Sequence, residues 1–253
     1  MRKKLLSGIL FSSAGSFWWG VIGVFYFKYV SFAGTVELVV HRTIWTAFVL
    51  LLFIIFYSRW NFFFEIINNK KKLFILFISG LLIFINWFTW IYAVATNRLV
   101  DASFGYYIFP ILSVLFGFIF FKETLNKRRI ISIILVLISI IYLLFNFKSI
   151  PWIGLTVAIT WSTYNLLRKK INVKTDIGVF IETIFIVPVA LIIFYFISQK
   201  GLNDFSISNP NIMFWLFLAG PVTVIPLYLY LRGVELAGLG AAGMAFFIAP
   251  TGQ

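Results

Sequence analysis

Glu37, His41 and Trp45 follow one another at intervals of four, which puts a carboxylate, an imidazole and an indole on one face of a helix, with Arg42 about a quarter-turn away. All four stand in an apolar run, where every ionisable side chain is a functional candidate because burying it in lipid is costly. An arginine at the centre of a membrane helix costs roughly 2.5–3.5 kcal/mol on insertion scales. Arg42 is therefore expected to find a carboxylate or carbonyl partner, and Glu37 and Asp101, at the same outer level, are the natural ones. Such a pair acts either as a structural lock between two helices or as an outer gate that also meets substrate. Glu182, in the second half of the chain, reads as a proton-titrating or inner-gate residue, or as a carboxylate satisfied by Arg168, Lys169 or Lys170. His41 is the sole histidine. Its ordinary pKa near 6.5 suits proton coupling, although a lone histidine more often packs and hydrogen-bonds.

A second set of residues is polar but uncharged. Asn86, Trp87 and Trp90, Trp18 and Trp19, and Tyr106 and Tyr107 fall at compatible depths in three apolar runs. Pro110 and Pro250 interrupt the fourth and ninth runs near their middles, and each frees a helical carbonyl that protein or cavity water must satisfy. Together these residues predict a central, aromatic, weakly polar pocket with Asn86, Trp90 and Tyr106 in its wall and Arg42 at its outer mouth. Tyr164 and Asn165 lie deeper and rank below them. A pocket of this character favours amphipathic organic solutes over bare ions.

No H-E-x-x-H, G-x-S-x-G, paired-Asp or phosphate-loop motif is present, and the chain has no cysteine. No catalytic residue, metal site or cofactor is therefore expected, and the absence of an ATP-binding motif argues against a primary pump.

The elements that must hold these side chains are membrane helices. Hydrophobic residues make up 62% of the 253 positions and charged residues 11%, against about 25% charged in a soluble domain. Apolar runs long enough to cross the bilayer occur at about 5–29, 35–57, 73–95, 99–121, 130–147, 151–168, 176–197, 212–231 and 236–253, nine spans in all. The first is too long for the apolar core of a signal peptide and continues through Trp18 and Trp19 past Ala14-Gly15-Ser16, the one plausible cleavage site. The net charge of +13 sits in short loops, with no folded basic face to offer nucleic acid. Counted in alternate loops, Lys and Arg number sixteen against four, the four being Lys28, Arg98, Lys148 and Lys200. The positive-inside bias puts the N-terminus in the cytoplasm.

The two halves echo each other at an offset of 140 to 142. Trp19 aligns with Trp161, the segment from His41 with that from Glu182, and Pro110 with Pro250. Five spans per copy is an odd number, so the second copy enters the membrane inverted. The predicted organisation is a first repeat over 1–147 and a second over 151–253. On this alignment Gln253 corresponds to Ser113, so nine spans are visible of an expected ten, and the chain reads as truncated.

The series Glu37-x-x-x-His41-Arg42-x-x-Trp45, Asn86-Trp87, Gly105-Tyr106-Tyr107-Ile108-Phe109-Pro110, Lys122-Glu123, Leu167-Arg168-Lys169-Lys170 and Glu182-Thr183 with Pro188 resembles RarD-type EamA proteins of the drug/metabolite transporter superfamily. The resemblance covers essentially the whole chain. It implies an all-α membrane protein of two inverted five-helix EamA repeats, multi-pass in the bacterial inner membrane. It further implies a permease or exporter of small organic metabolites or drugs, working by alternating access and driven by a coupling ion (a proton) or a counter-substrate. A passive channel or receptor-like scaffold is the alternative, although no repeated polar filter is present. An integral membrane enzyme ranks below both.

Overall fold

The computed structural model describes residues 2–124, 127–146 and 151–253. Phe147, which ends the fifth predicted span, and Lys148 lie outside the described residues, as do the side chains of Arg2, Arg128 and Arg129.

In hydrocarbon each backbone N–H and C=O must be satisfied within the chain, so apolar runs of this length become helices. α1 (Arg2–Trp18) passes through a turn of π-helix (Trp19–Gly23) into α2 (Val24–Tyr29) and a 3-10 turn (Val30–Ala33). α3 (Gly34–Phe56) follows, beginning at a glycine with φ of 70°, a conformation that other residues adopt only under strain. The apolar helical stretch Lys3–Phe56 has 54 residues. Straight, it would reach about 80 Å, so the break at Gly34 makes it two crossings. α4 (Trp60–Ile67) is a short helix within what reads in the sequence as a loop. It stands on the bundle through Phe63, whose ring is 5.7 Å from that of Phe180.

The remaining helices are α5 (Lys70–Ala95), α6 (Leu99–Phe121), α7 (Lys127–Asn146), α8 (Trp152–Ile171), α9 (Thr175–Gln199), α10 (Pro210–Phe217), α11 (Ala219–Ala237), α12 (Leu239–Ala245) and α13 (Ile248–Gly252). Their starts carry conventional signals. Asn69 Oδ1 accepts from the Lys72 amide at 3.0 Å, and Asn209 Oδ1 accepts from that of Ile212 at 3.3 Å with Pro210 in the first turn. Two expectations need correction. The eighth crossing runs on to Ala237, so Arg232 is a helix residue paired with Glu235 rather than a loop residue. The ninth starts at Leu239, because Gly238, at φ of 90°, ends the preceding helix.

The described residues contain helices and no strand. α1 packs on α11, α3 on α9 and α11, α5 on α8 and α9, and α6 on α8 and α12. Lipid offers helices no hydrophobic drive to associate, so small residues that let backbones approach do much of the joining. Gly8 lies against Ala237, Gly15 against the backbone of Pro226 and Tyr230, and a methyl group on Gly105 would overlap the carbonyl of Gly154. Aromatic side chains such as Phe25, Phe56, Phe118 and Phe145 are exposed around the outside, where only lipid suits them. The chain is a multi-pass membrane protein.

The two ends of the bundle differ. At one, Arg59 approaches Asp176 at 3.9 Å, Lys169 pairs with Glu123, and Thr175 Oγ1 donates to Glu235 at 2.7 Å. This is the basic end. At the other, Arg98 pairs with Asp101 at 2.7 Å, and Tyr26 donates to the Trp215 carbonyl at 2.6 Å.

Candidate functional site

Between the ends lies a cavity lined by Trp19, Arg42, Asn86, Trp87, Trp90, Tyr106, Trp161, Phe246 and Gln253, with about 350 Å³ of space between the side chains. The aromatic walls nearly meet, leaving room for little more than a water molecule. Several local features bring these residues inward. Trp19 opens the π-helical turn, a distortion common at functional sites. Pro110 removes the amide that would bond the carbonyl of Tyr106, four residues back, and Pro250 does the same for Phe246, whose carbonyl takes the Ala249 amide at 2.9 Å instead. Both prolines thus loosen the backbone at a residue of the wall.

Asn86 ties α5 to α8. Its Nδ2 donates to the Val157 carbonyl at 3.2 Å and to Thr160 Oγ1 at 3.1 Å, and its Oδ1 accepts from the Tyr106 hydroxyl at 3.5 Å. Gln253 Oε1 accepts from Ser103 Oγ at 2.8 Å.

Arg42 is 2% exposed and lines this cavity rather than its outer mouth. Its guanidinium carbon lies 4.9 Å from the centroid of Phe27 and 4.5 Å from that of Trp87. Nε and Nη1 are buried without a hydrogen-bond partner among the described residues. The expected pairing with Glu37 or Asp101 does not form. Five residues along a helix is a rotation of about 140°, which sends Glu37 and Arg42 to different faces of α3. Asp101 is taken by Arg98.

Of the other predicted pocket residues, Asn86, Trp87, Trp90, Tyr106 and Trp19 line the cavity. Pro110 is buried behind the wall, Trp18 is not among the lining residues, and Tyr107 meets Phe247 at 6.2 Å. Tyr230, from the eighth crossing, stands behind the wall with its ring 5.6 Å from Trp161. Sequence reasoning missed Trp161, Phe246 and Gln253. The signal for two of them was present, since the repeat offset carries Trp19 to Trp161 and Tyr106 to Phe246.

At each end a carboxylate grips two backbone amides. Glu37 accepts from the amides of Asp204, at 2.9 and 3.0 Å, and Phe205, at 3.0 Å, holding the α9–α10 loop over α3. His41 Nε2 lies 3.4 Å from Glu37, and Nδ1 accepts from the Trp45 indole at 3.2 Å, so the ring proton belongs on Nε2. The imidazole stacks on Phe205 at 4.7 Å. Burial and the neighbouring Glu37 charge hold the carboxyl of Asp204 above its ordinary value. At the basic end Glu123 accepts from the amides of Leu239 and Gly240, both at 2.9 Å, and from Lys169. Burial pushes the Glu123 pKa up, but the Lys169 ammonium and the two amides outweigh it, and the net shift is downward.

Glu182 is fully buried between α9 and α8. Arg168 Nε lies 3.6 Å from its Oε1, Ser79 donates to Oε1 at 2.6 Å and Tyr164 donates to Oε2 at 3.1 Å. Arg168, then, is the partner Glu182 finds, while Lys169 turns to Glu123. Among the described residues no group of His, Cys, Asp or Glu could hold a metal ion.

Residues 6–145 match the family model described as "EamA-like transporter family". The chain belongs to the EamA-like transporter family. It is similar to Protein RarD of Escherichia coli, 30% identical over 98% of this chain and 84% of that protein. The uncharacterized transporter YojE of Bacillus subtilis is 31% identical over 96% of this chain and 82% of its own length. An uncharacterized transporter of Vibrio cholerae is 31% identical over 99% and 82% respectively. No solved structure matches the chain significantly. The residues that carry the RarD-type resemblance of this EamA protein gather where the geometry is least ordinary. Asn86, Trp87 and Tyr106 line the cavity, Glu37 and Glu123 bind backbone amides at the two ends, and Glu182 lies against Arg168.

Proposed function

We propose that the protein is a secondary transporter of small organic metabolites or drugs that works by alternating access around the central cavity. The observation that carries this reading is the meeting of residues one repeat offset apart. The rings of Trp19 and Trp161 are 5.3 Å apart, those of Tyr106 and Phe246 also 5.3 Å, and those of Tyr107 and Phe247 6.2 Å. A two-fold axis through the cavity brings equivalent residues face to face in this way. The helix packing supports the same axis. Exchanging α1 with α8, α3 with α9, α5 with α11 and α6 with α12 turns the α1–α11 contact into α8–α5 and the α6–α8 contact into α12–α1. It also turns α3–α11 into α9–α5 and returns α3–α9 and α6–α12 to themselves. The units are the repeats 1–147 and 151–253. With five crossings in the first, the second is inverted, and one rocks against the other.

The basic end faces the cytoplasm of a bacterial inner membrane, as the positive-inside bias requires, and the N-terminus lies on that side. Release of Glu123 opens the cavity inward and release of Glu37 opens it outward. Transport against a gradient draws on a proton or a counter-substrate.

The chain has no cysteine, so one placed in the cavity as Tyr106→Cys reports access cleanly. Adding Glu37→Gln should speed its modification by an impermeant thiol reagent from outside, and adding Glu123→Gln should do so from inside. Equal modification from both faces in either variant would replace alternating access with a channel, and no change in either would remove both latches from the mechanism.

A further inference from the structure

The polar atoms of the cavity wall that lack a partner are all donors. Arg42 Nε and Nη1 and the indole nitrogens of Trp87, Trp90 and Trp161 are buried without a hydrogen-bond acceptor among the described residues. The side-chain amide oxygens of the wall are already engaged, Asn86 Oδ1 with Tyr106 and Gln253 Oε1 with Ser103. No Asp or Glu side chain lines the cavity among the described residues. A buried guanidinium without a counter-charge is among the most costly arrangements a protein can hold. The rings of Phe27 and Trp87 offset part of that cost through cation–π attraction, but they cover the faces of the group. Its rim, where the N–H bonds point, remains unmet.

We propose that, once its aromatic walls part, the cavity takes an organic anion, with a carboxylate on the rim of Arg42 and an apolar or aromatic body against the indoles of Trp87, Trp90, Trp19 and Trp161. The guanidinium fork matches a planar carboxylate better than it matches a single acceptor. The ligand supplies the missing charge, and the aromatic wall supplies contact area. A free ammonium group would meet Arg42 without a carboxylate to balance it, so cationic amphiphiles are disfavoured. This names the substrate class of the transport cavity and rests on the transport reading above.

The test measures binding and transport separately, on protein in nanodiscs and in liposomes. Calorimetry on the nanodisc protein compares 3-phenylpropionate, its neutral amide and phenethylamine, with indolyl and alkyl carboxylates as further members of the panel. The carboxylate should bind at least about 10-fold more tightly than the amide, as charge-assisted hydrogen bonds imply, and the amine should bind most weakly. Arg42→Gln should bring acid and amide to equal affinity. Arg42→Lys, which keeps the charge but loses the fork, should retain part of the preference and guards against a variant that fails to fold. The inference is overturned if amide or amine binds as well as acid, if Arg42→Gln keeps the preference, or if no carboxylate of the panel binds. Counterflow in liposomes separates the two readings. An anion that binds through Arg42 but is never exchanged leaves this inference standing and removes the transport reading. Saturable exchange of neutral or cationic solutes without anions does the reverse.

Discussion

Two arginines lie deep in this bundle, and the protein treats them in opposite ways. Arg168, 5% exposed, has the Glu182 carboxylate 3.6 Å away, and that carboxylate is held in turn by Ser79 and Tyr164. Arg42, 2% exposed, has two aromatic rings and no carboxylate within ion-pair distance among the described residues. The first charge is balanced by the chain itself. The second has no counter-charge among the described residues. A buried ion pair is weak evidence for stability when kept whole, yet breaking one is severe. An unbalanced charge in a pocket is a different case, because its cost is relieved only when a partner arrives.

The largest effect should come from breaking the balanced pair. Glu182→Leu leaves Arg168 uncompensated and should cost about 3–5 kcal/mol, seen as a collapse of the melting transition in detergent. Arg42→Leu should cost much less, since about 2 kcal/mol of ring attraction is lost while the burial of a bare cation is relieved. Equal losses in the two variants would break the comparison.

The basic end should also keep its charges satisfied across physiological pH. The pKa of Glu123 is lowered in the closed arrangement. Its contribution is therefore fully present above the ordinary glutamate value of about 4.3 and is lost as pH falls through the lowered one. Hydrogen exchange at the Leu239 and Gly240 amides, corrected for its intrinsic pH dependence, should show constant protection between about pH 5 and 8 and loss only below the ordinary glutamate value. Protection that fades near neutrality would show that another group sets the latch.

The smallest effect concerns one unmet donor. Trp90→Phe keeps a ring in the wall and removes the N–H, so it should raise KM about 2–10-fold without moving the melting point. A drop in melting point with unchanged KM would mean that the indole serves packing instead.

The crossings were legible in the sequence because length and apolarity alone decide what spans a bilayer. The start of α6 at Leu99 and the end of α5 at Ala95 fall where the apolar runs place them. The pocket was legible in part, through Asn86, Trp90 and Tyr106, since mid-membrane polar groups have few places to go. That Arg42 finds no carboxylate among the described residues was not. Helical spacing fixes the angle between Arg42 and Glu37, but the backbone amides of Asp204 and Phe205, which take the carboxylate, come from the far half of the chain. Trp161 could be reached only through the repeat offset from Trp19. In helices so uniformly apolar, periodicity does not mark which aromatic faces inward.

The close seam between α1 and α11 has a consequence for biosynthesis. α1 meets Ala237 through Gly8 and Tyr230 through Gly15, so its partner leaves the ribosome roughly 200 residues after it. At ~5–20 residues per second the wait is roughly 10–45 s. Throughout it, the glycine-lined face of α1 stays in the lipid with nothing of its own chain to cover it. Assembly of the bundle is therefore a late event, and a nascent chain stalled before α11 should display that face to whatever membrane helix or insertion factor passes.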